Sequence, residues 1–327
     1  MIAVALIIIN KFGSIAMMEL IGWMESTFGA HIDWKQVILI GLSPIFALSF
    51  LLEWQYMRRR KSGDYMKRQF AWMDTFTNLS LGGAYQVFEL IVHVLFVGTA
   101  IFWFWDQRFF TIPINLWTIL PIFIAVEFCY YWFHRTSHRV RWFWTAHVVH
   151  HTGEQMNMST AFRQSMLYPI TGWWLFFMPL VLLGVHPGVV FILYAVDLGY
   201  QFFIHTESVG KLHPWLEYIF DTPSNHRAHH GRNPQYIDKN YGGVIIVFDR
   251  WFGTYEEEQE QVDYGIATRQ IKSHNPIKLN FQEFVDMWKD VLRPGPLGQR
   301  LKHLWAPPEY VRPTIEAEEV ELPNKST

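Results

Sequence analysis

Three short histidine runs carry the chemistry most legible in this chain: His134-Arg-Thr-Ser-His138, His147-Val-Val-His150-His151 and His226-Arg-Ala-His229-His230. The spacing is i, i+4 in the first and i, i+3, i+4 in the other two, so each run presents its imidazoles on one helix face. Each is read as aiming its rings at one point. A ninth ring, His205, ends a hydrophobic stretch. Neutral imidazole is a good ligand for iron, zinc and copper and a poor one for magnesium or calcium. Nine donors exceed what one tetrahedral zinc takes and suit two metal ions with open positions. The zinc-protease pattern needs Glu directly after its first His; Arg135, Val148 and Arg227 stand there instead. One such run alone reads as a polar helix face, but three on one side of a membrane read as a metal centre. His93 and His186 are read as amphipathic interface residues, and His31, His213, His274 and His303 as structural. The single Cys129 excludes an internal disulfide framework and a cysteine zinc cluster.

These rings need elements to position them, and composition says what kind. Half of the 327 residues are hydrophobic, 17% are aromatic and 17% are charged, where about 25% charged is usual for a soluble domain. So much apolar mass excludes disorder. A net charge of −2 gives no basic footprint for nucleic acid. Several apolar stretches approach the roughly 20 residues a spanning helix needs: Gln36–Tyr56, Leu81–Trp105, Ile112–Phe133, and the pair Leu167–Val185 and Gly188–Ile204. Met1–Met24 reads as a further membrane helix rather than a signal peptide, having no basic segment before its apolar run. The expected fold is an all-α integral membrane bundle of about four to six transmembrane helices with a cytoplasmic histidine-rich di-metal cap. Arg58, Arg59, Arg60 and Lys61 put the end of the first clear span in the cytoplasm. From there the walk brings 134–165, 205 onward and the C-terminal region to that same face. The expected division is 1–110 for N-terminal membrane helices and an amphipathic linker, 111–255 for the catalytic core, and 256–327 for a cytoplasmic tail.

Ionisable groups inside membrane helices are functional candidates by default. Glu127, two turns before His134, and Asp197, in the helix leading to His205, are therefore expected either to orient imidazoles or to hold the helix bundle as a buried pair, and Glu207 either to bond a ligand ring or to stand in solvent. Glu89 and His93, at i, i+4, read as a satisfied pair.

The flanks of the runs carry a resemblance. Tyr130-Tyr-Trp-Phe-His134, Asn157-Met-Ser-Thr-Ala-Phe-Arg-Gln164, Gln201-Phe-Phe-Ile-His205-Thr-Glu207, Thr222-Pro-Ser-Asn-His226, Ile237-Asp-Lys-Asn-Tyr-Gly-Gly and Phe248-Asp-Arg-Trp-Phe-Gly-Thr254 resemble the fatty acid hydroxylase / sterol desaturase superfamily. They are most similar to its alkylglycerol monooxygenase-like branch, over about residues 70–255. Two positions depart: Arg139 where the branch commonly has Glu, and Asn225 where it often has His. Neither removes a clustered histidine.

The resemblance implies a histidine-bound di-iron centre, with two Fe and O2 acting on an unactivated C–H bond of a lipid taken from the bilayer. The ether carbon of an alkylglycerol is the bond it points to. It implies an external reductant, tetrahydrobiopterin or a ferredoxin or cytochrome chain. No nicotinamide or flavin fingerprint is present to supply electrons from within the chain. Asn157, Arg163 and Gln164 would contact the active site or a headgroup. Glu127, Asn157 and Glu207 are the candidates beyond the ligands themselves. A sterol or fatty-acyl hydroxylase or desaturase stays open, because the same ligand set serves both outcomes. A non-catalytic metal-binding membrane protein also stays open, although ligands gathered on one face argue against transport. The membrane would be the inner membrane of a bacterium or the endoplasmic reticulum of a eukaryote. Oligomeric state is not legible.

Overall fold

Inside a bilayer only helices satisfy the backbone within one segment, and the apolar stretches fold accordingly. A computed structural model describes residues 18–27, 32–60 and 70–313. Four helices in it are long and apolar enough to cross a membrane: α1 (Trp34–Arg60), α2 (Trp72–Val92, prolonged without a break to Asp106), α3 (Leu116–Arg139) and α5 (Pro187–Ile204). They mark the chain as an integral membrane protein. Leu48, Leu51 and Leu52 on α1, Val87 and Leu95 on α2 and Leu120 on α3 are more than half exposed, a lipid-facing surface too large for a soluble monomer. Among the described residues no strand forms beyond two isolated bridges, Phe220–Ile245 and Gly231–Tyr264.

One expected span is built differently. Leu167–Val185 is not a continuous helix but three short pieces, Tyr168–Thr171, Trp173–Phe177 and Met178–Leu183. Gly172 at φ 92° ends the first piece, a conformation a side chain disfavours. Pro169 and Pro179 open the first and third, where a missing N–H costs nothing. The apolar length was legible, but the breaks subdivide it. The pieces still run from the histidines to the opposite end. Phe109 N donates to Leu182 O (2.7 Å) and Ile112 N to Gly184 O (2.9 Å) in the loop between α2 and α3. Of the reading of Met1–Met24 as a helix, only 18–24 lies within the described residues, and 18–27 is helical. His31 and Lys61 fall outside them.

α3 starts at a capping box, in which Asn115 Oδ1 accepts from Trp117 N and Thr118 N while Thr118 Oγ1 accepts from Asn115 N. It ends at Val140, an extended residue (φ −125°), and α4 (Arg141–His151) begins at once. The first two histidine runs thus lie on two helices joined at a sharp corner. α6 (Pro223–His229) carries the third run. The segment after 255, expected as a tail, holds α7 (Pro276–Leu292), which packs on α4. Arg141, fully buried, is bonded there to Glu283 (2.8 Å) and Asp290 (2.7 Å).

Candidate metal centre

All nine clustered histidines are buried, and they separate into two nests. The first holds His134, His138, His147, His151 and His229; the second holds His150, His205, His226 and His230. Within each, one nitrogen of every ring lies within 4.8 Å of the others. Neither His-x2-His-His run therefore aims at a single point, as its spacing alone indicated. In α4 the i and i+4 rings enter the first nest and His150 enters the second. In α6 the i and i+4 rings enter the second and His229 crosses to the first.

The outer nitrogens are held by the fold. Nδ1 of His134 faces Tyr241 O (2.9 Å), that of His205 faces Gln201 O (2.7 Å), that of His229 faces Lys239 O (2.8 Å) and that of His150 faces Arg163 O (3.3 Å). His226 Nδ1 lies 3.0 Å from the Asp221 carboxylate, and His147 Nδ1 lies 2.5 Å from Tyr168 Oη. Carbonyls and carboxylates only accept, so the Nδ1 atoms of His134, His150, His205, His226 and His229 carry the proton and their Nε2 atoms are bare lone pairs, while the Tyr168 hydroxyl can serve His147 as donor or acceptor.

Those lone pairs face each other: His205 Nε2 is 3.1 Å from His150 Nε2 and 2.9 Å from His226 Nε2. Two acceptors at that distance cannot bond without a cation between them. His138 Nε2 and His229 Nε2 are buried with no hydrogen-bond partner among the described residues. Burial holds His147, His150, His151, His226, His229 and His230 well below the usual imidazole range and pushes His205 down to about 4. Those seven rings are therefore held toward the neutral form, the one that binds metal. The clusters fit a metal site, with imidazoles whose outer bonds fix tautomer and orientation.

A cavity of about 330 Å³ opens from the histidines into the bundle. His134, His147, His150, His205 and His226 line one end. Ile40 and Ser43 of α1 and Leu79 and Gly83 of α2 line a side wall. Ile40 and Leu79 are also exposed on the outside of the bundle, so that wall is one side chain thick toward lipid.

The other expected residues fall in varied places. Among the described residues Glu127 is hydrogen-bonded to no histidine ring; its Oε2 accepts from Val244 N (2.7 Å) and Ile245 N (3.1 Å). It thereby anchors the segment whose Tyr241 carbonyl holds His134. Asp197 accepts from Gln201 Nε2 at 2.8 Å, and a Cβ at Gly243 would collide with its carboxylate. Asn157 caps the Met158–Phe162 turn, accepting from Ser159 N at 3.0 Å. Glu207 accepts from Tyr264 Oη. Arg163 is bonded to Asp74 and Asn78, and Gln164 lines the cavity. Glu89 and His93 do not pair with each other along their helix. Glu89 takes Lys35 at 2.5 Å and His93 faces Asp33 at 3.7 Å, both partners coming from the start of the neighbouring span. Asn225 and Arg139 bond to backbone carbonyls and to Asp238 respectively.

Several positioning residues were not anticipated. Asp221 and Tyr168 hold His226 and His147. Asp249 accepts from Tyr241 N, Gly242 N and Thr254 Oγ1, and burial pushes it up to about 7. Asp221, just before the capping Thr222, left a faint local signal; Tyr168 and the carbonyls left none.

Residues 119–254 match the fatty acid hydroxylase family. The chain is 42% identical over 216 residues to an alkylglycerol monooxygenase of Homo sapiens, covering 66% of this chain and 48% of that one. It is 37% identical over 270 residues to that of Danio rerio, covering 82% and 58%. A Delta(7)-sterol 5(6)-desaturase of Aspergillus fumigatus is 31% identical over 160 residues, covering 46% and 41%. The chain thus spans about half the length of the curated relatives it matches. No solved structure gives a significant match.

Proposed function

Because this chain carries a fatty acid hydroxylase domain and is homologous to alkylglycerol monooxygenases, we propose that it is a membrane-bound non-haem di-iron lipid monooxygenase. The proposed ligands are His134, His138, His147, His151 and His229 for one iron and His150, His205, His226 and His230 for the other. The reading rests above all on one observation: two nests of bare imidazole lone pairs open onto a cavity walled from lipid by single side chains.

Bound iron would activate O2 for attack on an unactivated C–H bond, chemistry that side chains cannot supply. The protein holds the rings neutral and oriented, excludes water from the nests, and offers an apolar cavity to a hydrocarbon chain. The proposed substrate is an alkylglycerol oxidised at its ether carbon, with electrons from a pterin or a ferredoxin or cytochrome outside the chain. The proposed orientation puts the histidine end in the cytoplasm, because Arg58 and Arg59 end α1 on that side. The proposed division keeps 1–110 as membrane helices and linker, 111–255 as the catalytic core and 256–327 as a cytoplasmic segment.

Iron analysis and lipidomics test this together. About two iron per chain, with alkylglycerols accumulating when the protein is lost, is the expected result. Zinc alone with no oxygen consumption would sink the oxygenase reading, and a change confined to sterols or hydroxy acids would move the substrate to the desaturase side. His150→Ala and His229→Ala, one from each nest, should abolish turnover and lower metal content while leaving membrane insertion intact. Full activity in either variant would refute its ligand role.

A further inference from the structure

The cavity ends in charge at the side away from the histidines. Tyr85 and Trp173 line that end, and behind them Lys35 is only 1% exposed. Its Nζ donates to Tyr85 Oη at 2.8 Å, pairs with Glu89 Oε1 at 2.5 Å and lies 4.5 Å from the centre of the Trp173 ring. The ammonium is therefore engaged on three sides. It has no free donor to offer a polar headgroup arriving through the cavity.

Ring contacts and the rise along α1 set how this floor lies relative to the histidines. Phe46, three turns beyond Lys35 on α1, packs on Phe162 and Phe202. Phe202 belongs to the last turn of α5, just before His205. At roughly 1.5 Å per residue the backbone of Lys35 leaves α1 about 16 Å below that level, and its side chain reaches back to Tyr85, whose ring lies 6.1 Å from that of Tyr168, the residue held on His147. The cavity is thus a slot with imidazoles at one end, a capped ion pair behind the other and mostly apolar or aromatic walls between, broken by Ser43, Gln86, Gln164 and Gln201.

Burying an ion pair among spanning helices is costly to desolvate, and the metal nests use neither charge. The pair does something else. A hydrocarbon terminus that pushed past Tyr85 would strip Lys35 of a partner and leave its charge buried and exposed to alkane. Shortening the chain avoids that cost; lengthening it does not.

We propose that Tyr85, backed by the Lys35–Glu89 pair, is the end stop of the substrate cavity and sets the longest alkyl or acyl chain that can present its reactive carbon to the histidines. Tyr85 is then a specificity-determining residue. This rests on the reading of the site as one that oxidises lipids.

The test uses the purified full chain in detergent and a homologous series of alkylglycerols differing only in chain length. Tyr85→Ala opens the floor, and the double variant Lys35→Met/Glu89→Leu removes the charge while keeping the ring; replacing a buried pair with apolar groups is commonly tolerated. The expected result is a shift of the kcat/KM optimum to longer chains in both. Chains beyond the wild-type cutoff should gain about tenfold or more relative to the wild-type optimum. A merely structural role would lower activity at every length alike, and that parallel loss overturns the proposal. Native mass spectrometry of lipids co-purifying with each protein gives a readout without turnover. Longer bound chains in the variants support the end stop. The same lengths in all three proteins overturn it, even where catalysis fails. Wild-type protein that oxidises no member of the series counts against the alkylglycerol reading, and the bound-lipid comparison still decides the end stop.

Discussion

Six of the nine imidazoles in the two nests have their outer nitrogen held by the fold, and this makes specific residues testable. Asp221 is fully buried and holds only His226 among the nine rings. Asp221→Ala should lower metal affinity about 10–100-fold, the usual cost of losing an outer partner. Competition with a chelator measures it, and unchanged affinity would mean that His226 is oriented by its helix alone. The same burial sets a pH limit. His205 titrates at about 4 in the folded chain, against roughly 6.5 when unfolded. Between those values the unfolded state binds more protons, so stability rises with pH and is lost as pH falls from about 6.5 toward 4. Metal loss adds to this, since protonated imidazole is no ligand. Metal content after dialysis across that window should fall stepwise, and full retention at the acid end would contradict the assignment.

At the scale of elements, the nests depend on close approach between helices. Gly82 of α2 lies against the Met158–Phe162 turn, and a Cβ there would stand 2.8 Å from Phe162 O. Gly83 beside it has nothing within 4 Å. Gly82→Ala should therefore destabilise by about 1–3 kcal/mol through overpacking. Gly83→Ala should be neutral or stabilising, by up to about 1 kcal/mol, from reduced backbone entropy in the unfolded chain. Thermal unfolding of the two variants side by side decides this; equal shifts would show that α2 is free to move away from the turn. The corner at Val140 has a related consequence. It sets α3 and α4 so that His134 Nε2 lies 3.0 Å from His147 Nε2, although the two runs occupy different helices.

Across the whole molecule, the region after residue 261 braces the helix that carries five-ring and four-ring contributions alike. Arg141 at the start of α4 joins α7 through Glu283 and Asp290 and has no exposed surface of its own. Arg141→Ala leaves Glu283 buried without its cation, so a loss of about 3–5 kcal/mol is expected. Metal content should fall with it, because α4 feeds both nests. Wild-type stability would mean that α7 is held by its apolar face alone.

The sequence by itself determined which residues could meet a metal and which stretches could cross a membrane. Helical spacing marked His134, His138, His147, His150, His151, His226, His229 and His230, and hydropathy marked α1, α2, α3 and α5. These are local properties, set by a period and a composition that neighbouring residues share. Tertiary structure alone decided how the rings divide. At about 100° per residue, rings at i, i+3 and i+4 fan over roughly 100° of helix surface. That is too wide for one centre, and only the placement of α4 against α6 says which ring goes where. It also decided the outer partners. A carbonyl such as Gln201 O or Lys239 O has no side-chain signature, and Tyr168 reaches His147 only because the chain folds back. Lys35 likewise finds Glu89 across two helices rather than leaving it to His93 one turn along. In the low-dielectric interior an ammonium–carboxylate pair outweighs a weaker neighbour on the same helix.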